Sequence, residues 1–155
     1  MNLPNKRNAF TLIEVLLVIA IIAVLAVVVF VALNPAGRFS DARNSRRWND
    51  VNNILTAVHE YIVDNDGSLP TGLSTGMVET QLGSCPSGGA TLCTGASAAC
   101  VNLAAPLGAF LKSMPLDPQT GSAATSGYSI AVDANNIVTL KACSAEVGEV
   151  IQVSR

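Results

Sequence analysis

The 155-residue chain is poor in the residues that most enzymatic chemistry uses: it has one histidine, His59, one tryptophan and only 5% aromatic residues. A lone histidine excludes multi-histidine zinc centres and leaves a Ser-His or Cys-His hydrolase a single possible base. Lysine and arginine number 9 against 11 acidic residues, for a formal net charge of -2, and the pI is near 5.2. A dedicated nucleic-acid binder would show a basic excess. There is no CxxC pair to begin a zinc site and no N-x-S/T glycosylation sequon. Charge is missing from the 19 residues Val15 to Leu33. That run supplies most of the mean hydropathy of +0.44; without it an ordinary soluble sequence remains.

What is present falls into four parts: 1–9, short and polar with Lys6 and Arg7; 10–33, apolar with Glu14 its only charge; 34–66, charged and helix-like; and 67–155, rich in small residues and turns. Eleven of the 12 glycines and five of the seven prolines lie after residue 66, so the helical part comes first. Val15 to Leu33, as a helix, spans roughly 28 Å, enough to cross a bilayer. A secretory signal usually has an apolar region of about 7 to 15 residues and a small-x-small cleavage site. This run is longer and ends in Asn34-Pro35, although a cut near Ala32 is an alternative. Glu14 stands out, since a carboxylate within an apolar membrane segment costs about 2.5 to 3.5 kcal/mol. It either reaches water at the interface or pairs with a positive charge on another subunit.

Lys6-Arg7-Asn8-Ala9 followed by Phe10-Thr11-Leu12-Ile13-Glu14-Val15 resembles the leader and mature start of a type IV prepilin. The resemblance implies that a membrane prepilin peptidase cuts between Ala9 and Phe10, where the family normally has glycine before the cut, and N-methylates Phe10. It implies that Glu14 neutralises the new amine of a neighbouring subunit, and that the N-terminus is cytoplasmic. A count of basic residues alone favours the opposite orientation, because Arg38, Arg43, Arg46 and Arg47 follow the run. Those arginines are expected on a solvated or lipid-facing helix surface, or paired with acidic residues of neighbouring subunits.

Asn34-Pro35-Ala36-Gly37 should interrupt the helix, with Ser40 capping a new start. Trp48, Val51, Leu55, Val58 and Ile62 recur every 3 or 4 residues, one face of a helix running to about Asp64 with Gly67 as its stop. His59 is expected on the exposed flank of that stripe. In the remainder, Tyr128-Ile130-Val132 and Ile137–Leu140 read as a hairpin about Asp133–Asn136, Val150–Val153 as a third strand, and 71–105 as loop, with one short helix near Leu103 to Lys112. The fold class is therefore α+β: a long N-terminal helix, apolar then amphipathic, packed on a small antiparallel sheet. So small a head needs staples. Cys85, Cys93, Cys100 and Cys143 can provide two disulfides on an oxidising side of the membrane. Of three pairings, Cys85–Cys93 with Cys100–Cys143 is favoured.

Two catalytic patterns carry little. Gly72-Leu73-Ser74-Thr75-Gly76 matches G-x-S-x-G, but the only histidine precedes it, and Gly108 to Lys112-Ser113 lacks the glycine a P-loop needs before its lysine. Pro115-Leu116-Asp117-Pro118 with Tyr128 is similar to a segment of type II secretion major pseudopilins and some major pilins, where calcium braces the nearby loop. Calcium is thus the one candidate cofactor, with Asp117, Asp133, Glu146 and Glu149 as the acidic residues at hand. The expected function is non-enzymatic: an inner-membrane prepilin that self-assembles into a helical filament with the pilus or secretion assembly machinery, and needs no nucleic acid. The alternatives are a type II secretion pseudopilin in a periplasmic filament, and a monomeric membrane-anchored domain that binds something at the surface.

Overall fold

The computed structural model describes residues 10–155, and the chain divides into two units, one ending at Arg38 and one beginning at Phe39. In the first, helix α1 spans Leu12–Leu33. Thr11 caps it from an extended conformation, its hydroxyl accepting the Glu14 N–H at 3.2 Å. This is half of an S/T-x-x-E capping box, in which the short side chain replaces a missing helical acceptor. None of the 22 residues of α1 is buried. Asn34 ends the helix in a left-handed conformation, with φ 40°, and its N–H reaches the Val31 carbonyl at 3.4 Å.

Helix α2, Pro35–Asp64, begins at Pro35 and not near Ser40. Proline suits the first helical position because its absent N–H would have no partner there and its φ is already helical. Asn34 also serves this second helix, accepting the Arg38 N–H on its carbonyl at 3.3 Å. The Gly37 N–H faces the Asn34 side chain, whose Oδ1 lies 3.5 Å away. Val51, Leu55 and Val58 of the expected stripe are buried, joined by Ile54 and Ala57, while Trp48 and Ile62 are partly covered at its ends. The helix stops where Asp66 and Gly67 turn left-handed and the Gly67 N–H bonds the Ile62 carbonyl at 2.8 Å, a closure that glycine makes easy.

Against α2 lies a four-stranded antiparallel meander in the order β1-β2-β3-β4: β1 Thr80–Gln81, β2 Tyr128–Val132, β3 Val138–Ala142 and β4 Gln152–Ser154. Tyr128 pairs with Ala142, Ile130 with Leu140 and Val132 with Val138. This register puts all six on one buried face, where they join Val51, Ile54, Leu55 and Val58 in a single apolar cluster. The hairpin turn is held by Asp133, whose Oδ1 accepts the N–H groups of Asn135 at 2.7 Å and Ile137 at 2.8 Å. On the other face Glu79 accepts from Ser129 Oγ at 2.7 Å and from Lys141 Nζ at 3.5 Å.

Three expectations need correction. The short helix near Leu103 to Lys112 is a series of turns, with isolated helical bonds from Leu107 N–H to the Leu103 carbonyl and from Leu111 N–H to Leu107; Pro106 donates nothing and Gly108 adds flexibility. The loop reading of 71–105 overlooked β1, whose two residues are too few to alternate visibly. The disulfides are Cys85–Cys100 and Cys93–Cys143, not Cys85–Cys93 and Cys100–Cys143. A parallel bridge between Leu82 and Val101 aligns the two segments, and the Cys100 N–H bonds the Cys85 carbonyl at 2.9 Å. Tertiary pairing therefore overrides the short 85–93 spacing and leaves Cys93 to reach Cys143 beyond β3.

Candidate functional site

The processing and assembly residues expected from the sequence lie at the start of α1. Phe10 is 80% exposed, immediately before the Thr11 cap, and Glu14 occupies the first turn. There the unpaired N–H groups and the helix dipole favour a negative charge, which offsets part of the cost of a carboxylate in an apolar segment. Phe10, Glu14 and Val18 share a face at four-residue spacing and line, with Val15 and Ile19, a shallow groove of about 270 Å³. Ala9, Lys6, Arg7 and the rest of the 1–9 leader lie outside the described residues.

A second set of polar residues, buried in the head, was not expected. Arg47, fully buried, donates through Nε to Asp117 Oδ2 at 2.6 Å and through Nη1 to Glu146 Oε2 at 2.7 Å. Arg43 Nε reaches the same Glu146 Oε2 at 2.6 Å. Ser40 Oγ donates to Glu146 Oε1 at 3.1 Å, so it ties α2 to the C-terminal loop where it was expected to cap a helix. Burial pushes the Asp117 carboxyl up, but Arg47 and the N–H groups of Gln119 and Thr120 outweigh it and hold the group below its ordinary value. Hydrogen bonds from Arg43 and then Arg47 hold Glu146 down to about 2. Gly127 completes the fit, because a Cβ there would lie 2.6 Å from the Asp117 Cβ. Burial and then the bond to Asp50 push the Tyr128 hydroxyl up; it donates to Asp50 Oδ2 at 2.7 Å.

Arg43 and Arg47 thus pair with acids of their own chain, Arg47 fully buried and Arg43 partly exposed. A signal was available: Arg47 stands four residues before Val51, on the buried stripe itself. Of the acidic residues considered for calcium, Asp117 and Glu146 are bridged by Arg47, Glu149 accepts from Asn44 and Trp48, and Asp133 holds the hairpin turn. This donor set does not fit a calcium ion, because a guanidinium already fills the space between Asp117 and Glu146. Among the described residues, no three His, Cys, Asp or Glu side chains gather as metal ligands.

His59 is half-buried, not exposed, since Phe110 and Arg155 wall that flank of α2. Its buried Nδ1 has no hydrogen-bond partner, and burial, then the charge of Arg155, push its pKa down. Ser74 of the G-x-S-x-G match lies between α2 and β1, in a turn with no strand directly before it or helix directly after it. The structure brings together neither a nucleophile and base around it nor a phosphate cradle at Gly108–Lys112.

Comparison with known proteins bears on the N-terminal segment. Residues 4–30 match the family model of the prokaryotic N-terminal methylation motif. No curated protein and no solved structure matches the chain. The matched stretch includes Ala9, Phe10 and Glu14 and ends within α1, a helix long and apolar enough to cross a membrane. Residues 4–30 thus carry the prokaryotic N-terminal methylation motif, which indicates a type IV pilin-like or pseudopilin precursor.

Proposed function

We propose that the chain is a structural subunit of a type IV pilus-like filament, cut between Ala9 and Phe10 by prepilin peptidase, N-methylated on Phe10 and polymerised through α1. It sits first in the cytoplasmic membrane with its N-terminus inside, then passes with the assembly machinery into an extracellular filament. It works without catalysis or a cofactor. One observation carries the reading: the methylation motif extends through most of a 22-residue helix with no buried residue, a surface that needs lipid or other subunits to cover it. Glu14 is then the assembly residue, its carboxylate neutralising the Phe10 amine of the next subunit in a medium where an unpaired charge is expensive.

Glu14→Ala tests this. Sheared cell-surface filaments should disappear while the protein remains in the membrane fraction. Filaments at the wild-type level would contradict an assembly role for Glu14, and a wild-type chain that gives no polymer in any fraction would favour a monomeric surface-binding anchor. A type II secretion pseudopilin is the second reading, favoured by Pro115-Leu116-Asp117-Pro118, whose Asp117 braces the loop before β2. It differs in one readout: a pseudopilin is absent from the sheared fraction of wild-type cells.

A further inference from the structure

The two disulfides interleave along the chain. Cys85 joins Cys100 and Cys93 joins Cys143, so neither bridge links consecutive cysteines. An unfolded chain favours other partners. Cys85 and Cys93 are eight residues apart and Cys93 and Cys100 seven, against 15 for Cys85–Cys100 and 50 for Cys93–Cys143. Loop closure becomes rarer roughly as the 3/2 power of length, so each short pairing forms about 2.5 to 3 times as often as Cys85–Cys100, and together they outnumber it about five to one. What aligns the native partners comes from later in the chain. The Cys100 N–H bonds the Cys85 carbonyl at 2.9 Å, but the Cys85 N–H is held by the Ala124 carbonyl at 3.1 Å, the Leu82 N–H by the Tyr128 carbonyl at 2.8 Å, and the Cys143 N–H by the Gly127 carbonyl at 2.9 Å. A chain exported from its N-terminal end brings Cys85, Cys93 and Cys100 to the oxidising side before the residues that align them.

We infer that the head requires a disulfide isomerase, a protein partner with a reactive thiolate, to reach its native bridges. This requirement rests on the export of the head in the filament reading, and not on polymerisation. Once Cys85–Cys93 and Cys100–Cys143 have formed, no thiol is left among the four cysteines, so the first attack comes from outside. The isomerase thiolate attacks the Cys93 sulfur, forming a mixed disulfide and freeing Cys85 as a thiolate. Cys85 then attacks the Cys100 sulfur, which makes Cys85–Cys100 and frees Cys143. Cys143 attacks the Cys93 sulfur of the mixed disulfide, which makes Cys93–Cys143 and returns the isomerase thiolate. Three sulfur–sulfur bonds form and three break, with no net transfer of electrons. The other mispaired chain, Cys93–Cys100 with Cys85–Cys143, resolves by the same exchanges with Cys100 attacking Cys85. Burial sets the direction: in the native head Cys85 is 6% and Cys93 2% exposed, so each native bridge shields one of its sulfurs from a thiolate that a mispaired, open loop admits.

The test takes the full chain in detergent, reduced in denaturant, and refolds it with diamide as the only oxidant. After the diamide is removed, a reduced protein disulfide isomerase is added, or a form of it whose active-site cysteines are serines. Bridges are mapped by mass on unreduced elastase peptides, since Ala90, Ala96 and Ala98 offer cuts between the cysteines. With diamide alone the native bridges should be a minority, and the active isomerase should raise their yield about fivefold while the serine form leaves it unchanged. Two variants, Cys93→Ser with Cys143→Ser and Cys85→Ser with Cys100→Ser, each leave a single native pairing and should close it with diamide alone. Native bridges at the same yield before and after the active isomerase, or a two-cysteine variant whose bridge forms only with it, would overturn the isomerase requirement and leave export of the head standing. Four free thiols in protein from native membranes would overturn export, and the requirement with it.

Discussion

Helices α1 and α2 adjoin in sequence and differ in where they find their partners. None of the 22 residues of α1 is buried, whereas α2 buries seven of its 30, including Asn44 and Arg47. Around α2 the chain supplies its own cover, an apolar sheet face for the valines and leucines and two carboxylates for Arg47. Around α1 the described residues supply no cover. A helix that is apolar on every side and uncovered in its own fold is stable only in lipid or among copies of itself. The comparison therefore separates the residues that make the head fold from those proposed to make it assemble, and the variants below should divide the same way.

The largest effect is expected from Arg47→Ala, which strands the buried Asp117 and removes a donor from Glu146. Breaking a buried pair on one side costs about 3–5 kcal/mol, so the denaturant midpoint of the full chain in detergent should fall sharply; an unchanged midpoint would mean that the clamp does not hold the head together. Opening Cys93–Cys143 by Cys93→Ser with Cys143→Ser should lose about 2–4 kcal/mol, seen as a lower melting temperature without reductant. Ile54→Ala, at a fully buried position, should cost about 2–5 kcal/mol in the same measurement.

Acid offers a gentler probe. Glu146 and Asp117 both titrate below their ordinary values of 4.5 and 3.8. The stability they contribute is therefore complete above about pH 5 and drains away as the pH falls toward about 2. A head equally stable at about pH 5 and pH 2.5 would contradict the clamp. The smallest effect on folding belongs to α1: Ile22→Ala should change head stability by less than about 0.5 kcal/mol while lowering filament yield. A large loss of head stability would break the division between the two helices.

Most of this division is legible in the sequence because it rests on periodicity. The uncharged run gives α1, the spacing of Val51, Leu55 and Val58 gives the buried side of α2, and Tyr128 to Leu140 gives the central hairpin. Pairings distant in sequence were not legible. Arg47 finds Asp117 70 residues away, and no local pattern distinguishes that acid from a solvated one. The disulfides followed the Leu82–Val101 bridge, a contact of the folded chain only. The helix breaks at Asn34 as the Asn34–Gly37 segment suggests, but Pro35 itself starts α2 in its first turn, so no new start is left for Ser40 to cap. At the N-terminus the position is reversed: Thr11-Leu12-Ile13-Glu14 is a local signal for the cap of α1, and the methylation motif is a local signal for its processing.

The most direct test of the central proposal, that the chain is cut before Phe10 and assembles through α1, is the intact mass and N-terminal sequence of the protein from sheared surface filaments and from membranes of native cells. The expected result is a chain that lacks residues 1–9 and begins at N-methylated Phe10 in both fractions. A chain that begins at Met1, or beyond residue 30, would contradict it.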